Sequence, residues 1–132
     1  MSMFSGFHTS ATGLTAQRLR LDTVSANIAN AQTTRGELVN GEWQPYARKL
    51  AVLKETGSGV TVSEIRKDQE SFKLEYNPNH PDADELGYVK MPNVDLLKEM
   101  VDMMGATRSY EANVTALNAT KAMLVKAMEI GK

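Results

Sequence analysis

The run LLKEMVDMMGATRSYEANVTALNATKAMLVKAMEI, from Leu96 to Ile130, decides the architecture. Within it Leu96, Met100, Met103, Thr107, Tyr110, Val114, Leu117, Lys121, Leu124 and Met128 recur at alternating four- and three-residue steps. A repeat of about 3.5 residues holds one face toward a partner helix for many turns, whereas an ordinary surface helix drifts around a period of about 3.6. The spacing therefore predicts a coiled-coil seam. A helix from Asn93 to Ile130 would be about 55 Å long, while a compact domain of this size would be about 36 Å across. Either the chain is a rod-shaped helical hairpin or the seam meets neighbouring subunits.

Ahead of this helix, Met91-Pro92-Asn93 reads as a stop followed by an N-cap, with Asp95 in the first turn where the helix dipole favours an anion. The N-terminal segment repeats the helical theme. Phe7, Ala11, Leu14, Gln17, Leu21, Val24, Ile28 and Ala31 share one face and predict a helix over Met3 to Ala31. Gly6, Gly13 and a set of Ser and Thr residues lower its intrinsic propensity, so it needs a packing partner, and the C-terminal seam is the candidate.

Between the helices the grammar changes. Glu42 to Leu53, the turn Gly57-Ser58-Gly59, the alternating run Val60 to Ile65 and the short run Phe72 to Tyr76 read as strands of a small antiparallel sheet or extended arm. Asn77 to Glu85 reads as loop. The expected fold class is mainly α: long N- and C-terminal helices paired as a coiled-coil-like hairpin, with a small β or extended insertion. The expected segments are 1–31, 32–92 and 93–132, forming one structural unit.

Composition excludes several classes of function. The 132 residues carry a formal charge of −1, without the concentrated positive surface that phosphate neutralisation needs, so no nucleic-acid partner is expected. The interleaved charges Glu64, Arg66, Lys67, Asp68 and Glu70 predict a solvated face. No cysteine is present, which excludes disulfides and thiolate chemistry but leaves the compartment open. Met1 to Leu21 lacks the charged leader, continuous apolar stretch and cleavage site of a secretory signal, and reads as neither signal peptide nor membrane span.

One loop has chemically suggestive residues. His80-Pro81-Asp82-Ala83-Asp84-Glu85 places an imidazole near three carboxylates, a set that could bind a divalent cation or do acid-base work. Its prolines equally suit a rigid turn, and the spacing departs from that of calcium loops, so a structural or recognition loop is the favoured reading. No catalytic constellation, metal site or cofactor site is expected elsewhere. Met100, Met103, Met104, Met123 and Met128 supply an adaptable apolar surface to the second helix. Lys121 and Thr107 interrupt the seam, where polar residues can set register.

The stretch Leu21 to Thr34, with Ser25, Asn27, Ile28, Ala29, Asn30 and Thr33, resembles the N-terminal signature of bacterial flagellar basal-body rod and hook proteins. Phe72 to Val94, including His80, Pro81, Asp82 and Asp84, and the runs Glu99 to Met104 and Arg108 to Val114, including Tyr110 and Asn113, resemble a proximal-rod member of that family. The resemblance implies an axial part exported unfolded through the flagellar type III apparatus, without a cleaved signal, and built into a helical tube across the periplasm. Implied partners are other proximal and distal rod proteins, the protein joining the rod to the MS ring, and further copies of itself. It also implies that Leu14, Leu21, Val24 and Ile28 pair with Val114, Leu117 and Leu124, and that the His80 loop is a rod-surface or inter-subunit contact. Alternatives are another proximal-rod protein, a closed coiled-coil dimer, or a small metal-dependent enzyme using His80, Asp82, Asp84 and Glu85.

Overall fold

The computed structural model describes residues 3–131; the two leading residues and the last one of the expected segments lie outside them. Two long helices, α1 (Met3–Ala29) and α2 (Leu96–Ile130), enclose six short strands. At 35 residues, α2 is about 52 Å long. It begins three residues later than expected. The N-cap is Asp95, whose carboxylate accepts hydrogen bonds from the Leu97 N–H at 3.0 Å and the Lys98 N–H at 3.5 Å. Asn93, expected in that role, is buried and serves a different one, described below.

The insertion is three separate antiparallel hairpins rather than one sheet. In the first, β1 (Glu37–Val39) and β2 (Glu42–Gln44) are joined by Asn40-Gly41, both at positive φ (52° and 83°). That conformation matches the right-handed twist of the flanking strands, and Asn-Gly is its usual sequence. The expectation of strands starting at Glu42 omitted β1 for want of reading this pair. In the second hairpin, β3 (Lys49–Thr56) pairs with β4 (Gly59–Lys67) through Gly57-Ser58, with a bulge at Val52/Leu53. The third joins β5 (Lys73–Tyr76) to β6 (Tyr88–Met91) across the Asn77 to Gly87 loop. All three pairings lie within one chain.

The helices pack side by side and antiparallel. A Cβ added to Gly6 would lie 3.9 Å from Thr120 Oγ1, and one added to Gly13 would meet Asn113 Oδ1 at 2.8 Å. Further along, Arg20 approaches Asp102 at 3.9 Å and Asn27 bonds Glu99 at 3.1 Å. These contacts run through small and polar residues, and the residues buried along the helices are Ser10, Gly13, Ala16, Thr23, Val24 and Asn27 of α1 and Glu99 and Ala106 of α2. This differs from the apolar seam read from spacing. Met103, Val114, Leu117 and Leu124 are half-buried, as are Leu14, Leu21 and Ile28, but Leu96, Met100, Thr107, Tyr110, Lys121 and Met128 remain exposed. Side chains without bulk let the backbones approach, so the contact line follows glycine and alanine, and the larger apolar residues flank it or face outward.

The second hairpin lies along α1. Its tip is fastened by the Thr9 hydroxyl, which donates to the Ser58 carbonyl at 3.1 Å, and by the Val60 N–H, which donates to Thr12 Oγ1 at 3.3 Å. A Cβ at Gly59 would fall 2.1 Å from that same Thr12 oxygen. Gly59→Ala is therefore expected to lift the tip from α1 and cost about 1–3 kcal/mol, measured by urea unfolding with hydrogen exchange at Val60. Unchanged stability and protection would show that the tip does not bear on α1.

The fully buried apolar residues, Ala16, Val24, Val89, Val94 and Ala106, make a small core. Correspondingly the chain exposes 9195 Å², against about 6,900 Å² for a compact monomer of its mass. Among the described residues no helix is long and apolar enough to cross a membrane.

Candidate functional site

Where α1 ends, α2 begins and the insertion departs, a buried cluster of polar groups joins all three. Asn27, on the inner face of α1, grips the first residue of β3: its side-chain amide donates to the Lys49 carbonyl at 2.8 Å and its oxygen accepts from the Lys49 N–H at 2.9 Å. The same oxygen accepts from the Tyr46 hydroxyl at 2.9 Å, and the amide also donates to Glu99 Oε2 at 3.1 Å. Asn27 thus uses both ends of its side chain, as a buried amide must.

Arg48, whose side chain is only 7% exposed, stands next to this grip. Its Nε donates to Glu99 Oε1, and its two terminal nitrogens reach Asp68 Oδ2 at 3.0 Å and Asp102 Oδ2 at 3.2 Å. Its backbone N–H donates to Asn93 Oδ1 at 2.7 Å, and the Asn93 amide donates to the Glu70 carbonyl at 2.9 Å. One planar guanidinium therefore gathers carboxylates from α2 and from the end of β4, a geometry that arginine's fork of donors supports and lysine's point charge does not. Glu99 is wholly buried and has Arg48 as its ion-pair partner.

Protonation follows these contacts. Burial works against the Arg48 charge, but the hydrogen bonds and charges of Glu99 and Asp68 outweigh it and hold the group above its ordinary value. Burial, and then the Glu99 charge, push the Tyr46 phenol up. Asp68 is held low by the Glu70 N–H and then by Arg48, a partnership that removes it from the solvated charge run expected at Glu64 to Glu70.

The His80 loop is built differently. Asp82 accepts from the Thr34 hydroxyl at 2.7 Å and from Arg35 Nε at 2.9 Å, which ties the loop to the segment after α1. His80 Nδ1 accepts from the Asp82 N–H at 3.0 Å. Asp84 Oδ1 accepts from the Leu86 and Tyr88 N–H groups at 2.9 and 2.8 Å. Gly87 turns the chain at φ 84°, with its added Cβ blocked 3.0 Å from the Tyr76 ring. Asp82 and Asp84 thus face separate side-chain and backbone donors. Among the described residues no three His, Cys, Asp or Glu groups gather as a metal site.

The Thr34 hydroxyl, followed by Arg35, holds Asp82 below the usual carboxylate range. Asp68 and Asp82 therefore add stability that is complete above their unfolded value of about 3.9 and is lost as pH falls through their lower folded values. Hydrogen exchange at Ala83 and Asp84 is expected to accelerate in the native chain as pH drops from 5 to 3, after correction for intrinsic rates. In Asp82→Asn the acceleration should largely vanish. An equal acid response in both would disprove the tie.

The remaining residues of the expected signature have structural partners. Asn30 donates to the Ala26 carbonyl at 2.8 Å, and the Thr33 hydroxyl donates to Asn30 Oδ1 at 3.2 Å, closing α1. Ile28 is half-buried and Ala29 exposed; Pro81 and Tyr110 are also exposed. Asn113 donates to the Ser109 carbonyl at 2.9 Å and fills the space over Gly13. Tyr46, Arg48 and Asp68 were not anticipated as site residues. The legible hint was Glu99, a carboxylate in register with Ala106, Asn113 and Thr120, on a row of small and polar residues beside the apolar one.

Two family descriptions match this chain: "Flagella basal body rod protein" over residues 7–35 and "Flagellar basal body rod FlgEFG protein C-terminal" over residues 85–130. Along its whole length the chain is similar to the flagellar basal-body rod protein FlgC of Bacillus subtilis (strain 168), at 52% identity with all of both chains covered. FlgC of Borreliella burgdorferi is 40% identical over 98% of each chain, and FlgC of Escherichia coli O6:H1 is 40% identical over 100% of each.

Proposed function

Since this chain belongs to the family of the flagellar basal-body rod protein FlgC, we infer that its helix pair is a building unit of the rod and that its outward apolar residues are the joints between units. It is a structural component of the rod and not an enzyme. Its position in the proximal rod, its helical assembly with proximal and distal rod proteins and with copies of itself, and its contact with the protein joining rod to MS ring are the finer parts of the proposal. So are its span of the periplasm and its delivery by the flagellar type III apparatus without a cleaved signal. The expected segments 1–31, 32–92 and 93–132 serve in it as axial helix, insertion and axial helix.

The observation that carries this reading is the outer face of α2. Leu97, Val101 and Met104 are 73%, 61% and 58% exposed on a helix whose opposite side is already covered by α1. A solitary chain cannot bury that face, while a neighbouring axial helix can. The chain also exposes about 2,300 Å² more than a compact monomer of its mass, enough for a standard-sized interface. Side-by-side contact of α1 with α2 at positions seven residues apart supports stiffness along the axis and hence torque transmission from motor to distal rod and hook. Deleting the gene is expected to abolish swimming and leave basal bodies without a complete rod, with both restored by the intact chain. Complete rods in the deletion strain would refute the proposal.

A further inference from the structure

The line of contact between the helices is nearly repetitive, and that raises the question of what sets its register. Gly6 and Gly13 of α1 stand opposite Thr120 and Asn113 of α2, so both seven-residue spaced positions place a glycine against a small polar side chain. Sliding α2 by seven residues, about 10 Å, would bring Gly13 opposite Thr120 and preserve the character of the contact. The outer ends of the helices therefore barely distinguish the two alignments.

The inner end does distinguish them. Asn27 clamps both backbone polar groups of Lys49, which fixes Arg48 in the frame of α1. Arg48 then reaches two carboxylates of α2 placed three residues apart, Glu99 and Asp102, and its own N–H is held by Asn93 just before the helix starts. In the slid alignment a buried guanidinium would face Ala106 and Ser109 instead, neither of which can compensate its charge, and Glu99 would lose both partners.

We propose that Asn27, Arg48, Asn93 and Glu99, with Asp102, form a register lock that selects one alignment of a helix pair whose remaining contacts tolerate two. The lock uses a buried charge that is favourable only when every partner is in place, which is how a polar residue in an otherwise repetitive seam specifies position. A residue pair of α1 and of the insertion thus determines which residues of α2 stand opposite which residues of α1. The inference concerns a single chain and does not rest on the rod reading.

The chain contains no cysteine, so introduced pairs report alignment directly. Gly13→Cys with Asn113→Cys reports the observed register, and Gly13→Cys with Thr120→Cys reports the slid one. In the otherwise native full chain only the first pair is expected to oxidise to an intramolecular disulfide. With Arg48→Met and Glu99→Met, which keep apolar volume at the site, the second pair should rise from background to on the order of one-tenth of the first. A second variant moves the lock by seven residues: Asn93→Ala, Glu99→Ala, Asp102→Ser, Ala106→Glu and Ser109→Asp. There the second disulfide should exceed the first. Retention of the first pair alone in the moved-lock variant would overturn the proposal. Loss of helical circular dichroism and of both disulfides in the two variants would also overturn it, because a register lock sets alignment and not the existence of the pair.

Discussion

Arg48→Ala is expected to lower the stability of the isolated chain by about 3–5 kcal/mol, the range for removing one partner of a buried ion pair. The loss is large because Glu99, with 0% of its side chain exposed, is left buried without its ion-pair partner. Asp102 retains Arg20 at 3.9 Å and is half-buried, so it suffers less. Native domains are stable by only about 5–15 kcal/mol, hence the variant should be largely unfolded well below the native melting temperature. Arg48→Met combined with Glu99→Met should cost less than the sum of the two single changes, since no uncompensated charge remains. Urea titrations of the four chains close this cycle. Additive losses, or less than about 1 kcal/mol for Arg48→Ala, would mean that the cluster is not a stabilising hub.

The second large effect should appear in assembly and leave the fold intact. Leu97→Asp with Val101→Asp places two carboxylates on the outer face of the first turns of α2, where the side chains are already hydrated and the helix dipole tolerates an anion. Monomer stability should change by about 0.5 kcal/mol or less per substitution. Each leucine or valine that a neighbour would otherwise cover contributes about 1.5–3 kcal/mol to the joint, and the joint recurs with every subunit, so rods should not form and swimming on soft agar should cease. Leu117→Asp makes the contrast. Leu117 is half-buried beside α1, and its replacement should reduce both the helical signal of the isolated chain and assembly. Normal motility with Leu97→Asp and Val101→Asp would remove the outer face from the proposed joints.

These two expectations separate what local sequence could reveal from what it could not. The four-three spacing of apolar residues specified α2 to within three residues of its start, because helix formation rests on contacts no more than four residues apart. The same holds for α1, whose weak propensity also marked its need for a partner. The choice of face was different. Spacing located Leu96, Met100, Tyr110 and Met128 on one stripe, yet α1 settles against Ala106 and Asn113 beside it, since two backbones approach most closely where side chains are smallest. Asn40-Gly41 carried a readable hairpin signal that the strand assignment did not use.

What the sequence by itself determined is therefore the inventory of local elements: two overlong helices, an extended insertion, a stiff loop at His80, and more apolar surface than one chain can bury. The family signature belongs to that inventory. The tertiary structure alone decided the helix face, the conversion of Asn93 from expected cap to buried clamp, and the meeting of Asn27, Arg48 and Glu99. Asn27 and Glu99 lie 72 residues apart along the chain, Arg48 and Asn93 lie 45 apart, and Arg48 and Glu99 lie 51 apart. The strength of a buried charge depends on everything that encloses it, and the enclosure exists only once the helices and hairpins have packed.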